Sequence, residues 1–355
     1  MNEKVSIIIL NYNGLNLLKN CLESIKKQTY SFMEIILVDN GSQDNSVQFI
    51  KEKYPEIIII ENKKNLGFCK GNNKGVKKAS GEYLFLLNND TVLDENCILN
   101  LIEEIKTKPS NCIGVFPKLL FKDAPLLINA FGVIWNYKNH WRDNRVGLLD
   151  LGQFNFSEQV FGSLFSAVLF KKNEFIEIGM FDENFFCYGE DFDVSYRANI
   201  LGYVFYTSPQ SIVYHQYRAS SGDKKNPEYS FYLFIRNYFQ VFIKNYEWIN
   251  LKKDFKNIIS FYYLSSFNWY IKSRQYKNLI IVHLRVLLYY IFNIRNILKE
   301  RKKIQKKRKV RDIDVWNFSS KIGQYNIFHY DNSPVISLKN FYTAKKKIKE
   351  TYFEK

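Results

Sequence analysis

The sequence is poor in the cysteine patterns that mark zinc-binding or disulfide-stabilised proteins. Its 355 residues include five cysteines, which are scattered along the chain and form no CxxC pair. Neither a cysteine-based zinc site nor a disulfide framework is therefore indicated. Such cysteine usage is typical of the reduced cytosol, so we expect a cytoplasmic protein.

Two glycine-rich phosphate-binding motifs are also missing. No GxGxxG follows the first apolar run, and no GxxxxGK[ST] occurs anywhere. These absences argue against a dinucleotide-dependent oxidoreductase and against a P-loop protein. A sugar nucleotidyltransferase is disfavoured because its glycine-rich N-terminal loop is absent. A nucleotide would have to be held by side chains, with a metal ion at its phosphates.

The sequence has no apolar run that reads as a leader or a membrane span. Val5 to Leu10 is too short for the core of a signal peptide. Leu279 to Phe292 is the most apolar later segment, but it contains His283 and Arg285 and is shorter than the roughly 20 residues that span a bilayer. We expect residues 238–298 to form amphipathic helices, either packed as a bundle or docked at a membrane interface.

Positive charge is in excess. The formal net charge is +16, which favours an anionic partner such as a membrane surface, a nucleic acid or a phosphorylated substrate. The run from Lys299 to Arg311 contains nine bases and one acid. Such a run is either a solvated helix face or a surface for anionic lipid headgroups.

The first hundred residues alternate between two hydrophobic patterns. Short apolar runs predict strands, and segments with apolar residues at helical spacing predict helices between them. The strands are Val5–Leu10, Glu34–Val38, Ile57–Ile60 and Tyr83–Leu87, and the helices are Leu15–Gln28, Asp44–Tyr54 and Asn72–Ala79. This order predicts a parallel sheet with right-handed crossovers.

The later pattern is less regular. It predicts a helix from Asn96 to Lys106, strands over Ser166–Phe170, Tyr203–Tyr206 and Ile212–His215, and a helix beginning near Val194. Residues 121–160 look irregular, either a substrate-covering insertion or a surface excursion.

Polar residues follow three of the predicted strands. They are Asn11–Asn13, Asp39–Asn40 and Asn88–Asp90. Ligands of open α/β sheets bind beyond the carboxyl ends of the strands, so these residues predict a nucleotide pocket. Asp90, a carboxylate beside amides, suits a hard cation there. The alternative is that Asn88–Asp90 simply begins a turn.

Two further stretches carry candidate chemistry. Asn65 to Gly75 contains glycines that permit tight turns or close approach to a ligand, or it is an ordinary loop. Six acids cluster further on, and they either stabilise a helix N-terminus or supply a general base. They are Glu177, Asp182, Glu183, Glu190, Asp191 and Asp193. His215 follows them, as a structural residue or a metal ligand.

Together these stretches resemble the inverting family 2 glycosyltransferases of the GT-A fold, and within them the rhamnosyltransferase-like enzymes of cell-surface polysaccharide synthesis. The resemblance runs from about Val5 to Asn237. Five stretches carry it in the expected order, followed by His215: SIIILNYNG, ILVDNGSQDNS, NLGFCKGNNKG, YLFLLNND and GMFDENFFCYGEDFDVSYR.

The resemblance implies roles for individual residues. Asp191, in the Glu190–Asp191 pair, matches the catalytic base. Asp90 matches a metal ligand in the family's DxD motif, where this chain has Asn88 in place of the first Asp, and His215 would help to hold the metal or the diphosphate. Nucleotide or donor contacts are expected from Asn11, Asn13, Asp39, Asn65, Gly67, Asn73, Asn88 and Asn89, with Asp39 contacting the base and Asn88 the ribose. Ser166-Ala167 departs from the Gly-Ala that many relatives have.

The implied fold is α/β, a GT-A (Rossmann-like) and mostly parallel sheet flanked by helices, with a C-terminal amphipathic helical region. The expected division is a catalytic domain over 1–237, with a nucleotide-sugar half (1–110) and an acceptor half (111–237), then basic helices over 238–311 and a tail over 312–355 with no assigned role.

The implied activity is a metal-dependent, inverting hexosyl transfer with Mg²⁺ or Mn²⁺. A nucleotide-sugar donor, with dTDP-rhamnose the best guess, would glycosylate a lipid-linked or cell-surface glycan. We expect a cytoplasmic enzyme, peripheral at the inner face of the cell membrane, with anionic lipid as a partner and no nucleic acid, because the acidic cluster would repel phosphates. The alternatives are an inactive glycosyltransferase-like scaffold or a basic protein that binds nucleic acid or membrane.

Overall fold

The computed structural model describes residues 3–136, 141–143, 145–216, 227–273 and 276–319. Within these ranges the chain forms a central ten-stranded mixed sheet flanked by helices, in the order β10-β12-β6-β11-β4-β1-β2-β3, with β5 on β12 and β7 on β6. The α/β prediction is confirmed.

The first part of the chain alternates strands and helices as predicted. The elements are β1 (Val5–Asn11), α1 (Leu15–Lys26), β2 (Met33–Asp39), α2 (Ser46–Lys53), β3 (Ile58–Glu61), α3 (Gly67–Lys78) and β4 (Tyr83–Asn88). The pairs β1–β2, β1–β4 and β2–β3 are parallel. α3 begins at Gly67, earlier than the predicted Asn72.

The parallel strands are apolar on both faces because helices cover both. In β1, Ile8 belongs to one hydrophobic cluster while Ile7 and Ile9 belong to the other. Successive side chains of a strand point to opposite faces, so each face of β1 lies in its own core. Burial on both faces explains why the run reads as continuously apolar.

The second part of the sheet is mainly antiparallel. Its elements are β5 (Thr91–Leu93), α4 (Cys97–Lys106), β6 (Cys112–Phe121), β7 (Ala124–Ala130), β8 (Ile134–Asn136), β9 (Trp141–Asp143), β10 (Gln159–Val160), β11 (Ala167–Lys171), α5 (Lys172–Glu177), α6 (Glu190–Ile200) and β12 (Val204–His215). β11 lies between β4 and β6 and is antiparallel to both.

Three expectations for this part are corrected. Residues 121–160 contain β7 to β10 rather than an irregular excursion. The two predicted strands at Tyr203–Tyr206 and Ile212–His215 form one strand, β12, with a register shift between Ser208 and Ile212. α6 begins at Glu190, so the Glu190–Asp191 pair lies in its first turn.

Helices follow the sheet. They are α7 (Pro227–Asn245), α8 (Trp248–Ser273), α9 (Tyr276–Lys307) and α10 (residues 312–319). The expected domain boundary after residue 237 falls inside α7. Within the described residues, Ile280–Lys307 of α9 passes a test for crossing a membrane by length and composition alone, whereas the sequence pattern predicts an apolar segment that is too short. Most of the expected 312–355 tail lies outside the described residues.

Candidate active site

Three strand ends bring polar side chains together at one edge of the parallel sheet. Asn11 faces Asp39 in the β1–β2 register, and Leu10 faces Asn88 in the β1–β4 register. Asn11 and Asp39 are both buried, and Asn11 Nδ2 donates to Asp39 Oδ2 at 3.1 Å. The expected meeting of these strand ends is observed.

The Asp39 carboxylate organises the loop that follows β2. Its Oδ1 accepts the backbone N–H groups of Gly41 at 3.0 Å and Ser42 at 2.8 Å. Its Oδ2 accepts the Ser42 hydroxyl at 2.6 Å and the Asn11 amide. A carboxylate has about four acceptor positions, so these bonds use all of them. A nucleotide base could contact this carboxylate only by replacing one of the four hydrogen bonds. The bond from the Ser42 hydroxyl is the easiest to replace, because that hydroxyl can rotate.

Asn89 braces the end of β4 against the start of α1. Its Nδ2 donates to Asn11 Oδ1 at 2.8 Å, and the residue is almost fully buried. A Cβ atom on Gly14 would overlap the Asn89 amide, so the chain needs glycine there. Asn13 is exposed, and its Oδ1 accepts the Gln43 N–H at 2.7 Å. Asn89 thus has a bracing role, while Asn13 can reach a ligand from solvent.

Asn65 and Gly67 shape the start of α3. Asn65 Oδ1 accepts the Gly67 N–H at 2.8 Å and the Asn40 amide at 3.2 Å. Gly67 has a φ of +80°, and a Cβ atom there would overlap the Phe186 carbonyl oxygen. That oxygen accepts the Phe68 N–H at 2.6 Å. The start of α3 is therefore docked on the loop that precedes α6, which links the two sets of predicted site residues.

Asn73 is bound to the loop before α6. It is 1% exposed, its Nδ2 donates to the Phe181 carbonyl at 2.9 Å, and its Oδ1 accepts the Phe181 N–H at 3.2 Å. Both ends of the amide are engaged by the backbone. Asn73 thus positions this loop, and its expected donor contact stays a prediction.

Asp90 and His215 form a close pair beside the strand ends. The β5–β12 pairing sets His215 opposite Thr91, next to Asp90. His215 Nε2 lies 3.3 Å from Asp90 Oδ1, and both side chains are buried. His215 Nδ1 lies 2.8 Å from Asn129 Oδ1 on β7. Sequence reasoning missed Asn129, because it falls in the segment whose pattern looks irregular.

This pair fits a divalent cation. An amide oxygen at Nδ1 favours the tautomer protonated there, which leaves a lone pair on Nε2. Two neighbouring ligands of an octahedral ion are about 3 Å apart, close to the separation of Nε2 and Asp90 Oδ1. Manganese accepts both nitrogen and carboxylate donors. No group of three or more His, Cys, Asp or Glu suited to a metal occurs among the described residues, so other ligands would be diphosphate oxygens or water.

Glu190 and Asp191 open α6 directly after a sharp turn. The preceding Tyr188 and Gly189 have φ values of +69° and +82°. Asp191 is largely buried, and its Oδ1 accepts the Phe192 N–H at 2.7 Å. Negative charge in the first turn of a helix is favourable. The structure thus places Asp191 where its charge supports the helix start, and its role as a base stays a prediction.

Other acids of the predicted cluster belong to an internal ion cluster. Lys244 Nζ lies 2.7 Å from Asp182 and 2.9 Å from Asp193. Arg197 Nε donates to Asp193 at 2.8 Å. Burial works to raise the pKa of Asp182, but the Lys244 ammonium holds it well below its usual value. Burial acts likewise on Asp193, whose pKa is kept low by Arg197 and Lys244. This cluster joins α6 and α7 to the loop before α6.

α7 also holds the turn that leads into α6. Asn237 Nδ2 donates to the carbonyl oxygens of Cys187 at 2.8 Å and Tyr188 at 2.7 Å, and Asn237 is fully buried. The neighbouring Arg236 donates to the Asn184 carbonyl at 3.0 Å. Sequence reasoning missed both roles. The available signal was the polar pair Arg236-Asn237 between the apolar and aromatic stretches Phe231–Ile235 and Tyr238–Phe239.

Comparison with known families relates the N-terminal part of the chain to one family. Residues 6–124, about a third of the chain, match the family model described as glycosyl transferase family 2. The segment contains the strand-end residues and Asp90, whereas Asp191 and His215 lie beyond it. The expected relation to family 2 glycosyltransferases is thereby supported.

One curated relative is named a glycosyltransferase, and another is named a polysaccharide synthase. Glycosyltransferase GlyG of Streptococcus pneumoniae is 34% identical over 118 residues, which cover 32% of this chain and 38% of the relative. Poly-beta-1,6-N-acetyl-D-glucosamine synthase of Staphylococcus epidermidis is 25% identical over 217 residues, which cover 59% of this chain and 49% of the relative. The chain therefore spans half or less of the length of these relatives.

Two solved structures share the fold. The crystal structure of GalNAc-T7 with UDP, GalNAc and Mn²⁺ has 19% identity and a TM-score of 0.53, with coverage of 67% of this chain and 47% of that chain. The crystal structure of S. aureus TarS 1-349 has 13% identity and a TM-score of 0.53, with coverage of 91% of this chain and 92% of that chain. The predicted GT-A fold is confirmed.

Proposed function

We propose that this chain is a metal-dependent inverting glycosyltransferase that moves a sugar from a nucleotide-sugar donor to a hydroxyl of a glycan. The observation that carries the proposal is the 3.3 Å approach of His215 Nε2 to Asp90 Oδ1 beside strand ends of the segment that matches the family 2 model. A carboxylate and an imidazole at this edge are suited to a cation that carries a diphosphate.

The roles of the residues follow from where they lie. The loop organised by Asp39 and Asn11 would receive the nucleotide, and Asn88 would contact its ribose. Asp90 and His215 would hold Mg²⁺ or Mn²⁺, which when bound neutralises charge on the departing nucleoside diphosphate. The presence of UDP and Mn²⁺ in the GalNAc-T7 structure agrees with such a site.

The proposed reaction is a single displacement. Asp191 removes the proton from the acceptor hydroxyl while the oxygen of that hydroxyl attacks the anomeric carbon. The new carbon–oxygen bond forms while the bond to the diphosphate oxygen breaks, and the nucleoside diphosphate leaves. One displacement with one carboxylate base inverts the anomeric centre, as in inverting glycosidases.

The proposal also covers the identity of the sugar donor and of the glycan acceptor. dTDP-rhamnose remains the predicted donor from the rhamnosyltransferase-like resemblance. An N-acetylhexosamine donor is the main alternative, since one relative is named a poly-N-acetylglucosamine synthase. The acceptor is proposed to be a lipid-linked or cell-surface glycan, reached from the cytoplasm at the inner face of the membrane. Residues 1–110 would serve the donor and residues 111–237 the acceptor.

Turnover of a donor panel tests the proposal. Purified full-length protein would be incubated with dTDP-, UDP- and GDP-sugars and Mn²⁺ or Mg²⁺, and released nucleoside diphosphate would be measured. We expect metal-dependent release from one donor class. Asp191→Asn should lower kcat by about a hundredfold or more, because a carboxamide cannot accept the proton.

The matched control is Glu183→Gln, which removes an acid from the surface of the same loop, where Glu183 pairs with Lys70 and Lys77. It should retain turnover. Equal activity in Asp191→Asn and wild type would remove Asp191 from the mechanism. Nucleotide binding without turnover, even with glycan and lipid-linked acceptors supplied, would favour the inactive scaffold.

A further inference from the structure

Helix α9 presents a continuous apolar stripe to solvent. Its large apolar side chains recur three or four residues apart, which places them on one face of the helix. The six most exposed are Ile280, Leu284, Leu287, Leu288, Ile291 and Phe292, with exposed fractions from 50% to 78%. Contiguous exposed apolar surface of this kind marks an interaction site.

The opposite face of α9 is fixed to α7. Val282 and Val286 are buried there. The Tyr290 hydroxyl donates to the Arg236 carbonyl at 2.6 Å, and the Tyr289 hydroxyl donates to Gln240 Oε1 at 3.0 Å. α9 is therefore held in place by one face, and the exposed stripe belongs to a packed helix.

The stripe leads into a basic cleft. Lys302 lies four residues after Leu298, on the same face of α9. An open cleft of about 530 Å³ lies between the start of α8 and the end of α9. Its lining includes Trp248, Ile249, Leu298, Arg301, Lys302 and Arg308.

The charges in this cleft favour an anion. Burial and the positive charge of Arg308 lower the pKa of Arg301, so an anion nearby would relieve the repulsion between the two guanidinium groups. The Arg301 guanidinium also lies 5.0 Å from the Trp248 ring centre. Two carboxylates oppose these bases. Arg308 pairs with the buried Asp312 at 3.0 Å. The Glu247 carboxylate accepts the Asp312 N–H at 2.9 Å and the Asn250 amide at 3.2 Å.

We propose that α9 lies flat on an anionic membrane, with its apolar stripe in the interface and the cleft receiving the phosphate of a phospholipid headgroup. Apolar side chains on one face and a basic surface beside them are the features of interfacial helices. The stripe from Ile280 to Phe292 is roughly 18 Å long at 1.5 Å per residue, enough to rest along a bilayer surface. This inference does not depend on which reaction the protein catalyses.

Charge and packing select this occupant over two others. A second copy whose α9 packed in parallel on the stripe would bring an equal basic run, Lys299–Arg311, beside this one, and the two runs would repel. A membrane-spanning α9 would have to give up the buried contacts with α7, which carries the internal Lys244. A helix that spans the bilayer is apolar all round, whereas the apolar surface here is a stripe.

Vesicle binding of the full chain tests the proposal. We expect co-sedimentation with phosphatidylcholine vesicles that contain phosphatidylglycerol, little with phosphatidylcholine alone, and release at high salt. Phe292→Ser should weaken partition about tenfold, because a buried Phe is lost from the interface. Lys302→Gln should weaken it about fivefold through its contact with the lipid phosphate.

Lys303→Gln is the matched control, since Lys303 pairs with Glu300 at 2.7 Å and does not line the cleft. Its effect should stay below about twofold, because an exposed pair contributes little. Equal losses for Lys302→Gln and Lys303→Gln would overturn the headgroup site. Absent vesicle binding, a dimer that Phe292→Ser dissociates, or resistance to extraction at high salt and alkaline pH would each overturn the membrane-docking proposal.

Discussion

At the scale of single residues, the contact between Asn129 and His215 determines which imidazole nitrogen carries the proton and leaves the other, which faces Asp90, with a lone pair. Asn129 Oδ1 lies 2.8 Å from Nδ1 and is an acceptor, so Nδ1 carries the proton in the neutral ring. Nε2 then faces Asp90 Oδ1 with a lone pair. Two electron-rich atoms in this arrangement are stabilised either by a shared cation or by a second proton on the ring.

Replacing Asn129 therefore tests whether the pair serves a metal. Asn129→Leu removes the acceptor, and we expect Mn²⁺ affinity in the presence of a nucleoside diphosphate to fall by about 10- to 100-fold. Asn129→Asp keeps an acceptor and should recover most of the affinity. Electron paramagnetic resonance titration of free Mn²⁺ measures this, with metal-free thermal unfolding as the check on folding. Wild-type affinity in a folded Asn129→Leu protein would show that Asn129 does not tune the site.

Prediction from sequence succeeded for the location of residues that follow a local pattern. Asn11 and Asp39 come directly after apolar runs and Asp90 follows one after two asparagines, so their place at strand ends could be predicted. Asn129 could not, because its contact with His215 depends on how β7, β6 and β12 align, which is a non-local pairing. The contacts of Asn73 with the Phe181 backbone could not be predicted either, since a polar side chain in a glycine-rich stretch looks available until its burial is known.

At the scale of elements, the internal ion cluster joins α7 to α6 and to the loop before it. Lys244 on α7 bridges Asp182 in the loop and Asp193 on α6. Tyr289 and Gln240 extend the connection from α9, since Gln240 Nε2 donates to Asp182 at 3.3 Å. The C-terminal helices thus hold the turn from which Asp191 projects.

This cluster predicts a specific dependence of stability on pH. The folded pKa of Asp182 is depressed, so its contribution is present above the unfolded value, about 3.9, and is lost as pH falls through the folded pKa. Asp182→Asn should lower the free energy of unfolding by about 3 kcal/mol at pH 7, since it breaks a buried pair. The difference from wild type should shrink below about pH 4, where the unfolded carboxyl is protonated.

Urea unfolding at pH 7 and pH 3 measures this difference. Glu183→Gln is the control, because Glu183 lies next in the chain but pairs with exposed lysines, and it should change stability little at either pH. A loss for Asp182→Asn that is the same at both pH values would mean that the ion pairs do not stabilise the loop.

The helix boundaries show why glycines mislead a sequence prediction. Gly67 and Gly71 read as loop residues, yet both lie in α3. A Cβ atom on Gly71 would overlap the Leu10 side chain, and one on Gly75 would overlap Ile8. These glycines therefore let the helix pack closely on β1. Helix propensity alone would count each glycine only as destabilising.

At the scale of the whole molecule, the sheet has two halves. The local sequence pattern predicts the parallel half, but it does not predict the mainly antiparallel half. Alternating strand and helix signals predict a parallel sheet with right-handed crossovers, and the structure gives its order as β3-β2-β1-β4. β11 and β12 are placed by partners more than 75 residues away, Tyr83 for Lys171 and Thr91 for His215. That placement supplies His215 to the edge where Asp90 lies.

The most direct test of the account is nucleoside diphosphate binding with and without Mn²⁺, measured by calorimetry on wild type and Asp90→Asn. The control is Asp94→Asn, which alters a nearby carboxylate that accepts the Asn96 N–H. We predict that Mn²⁺ strengthens binding of UDP or dTDP to wild type and Asp94→Asn by at least about tenfold, and that Asp90→Asn loses this gain. Failure of wild type to bind either nucleotide under any metal condition, or an unchanged gain in Asp90→Asn, would contradict the account.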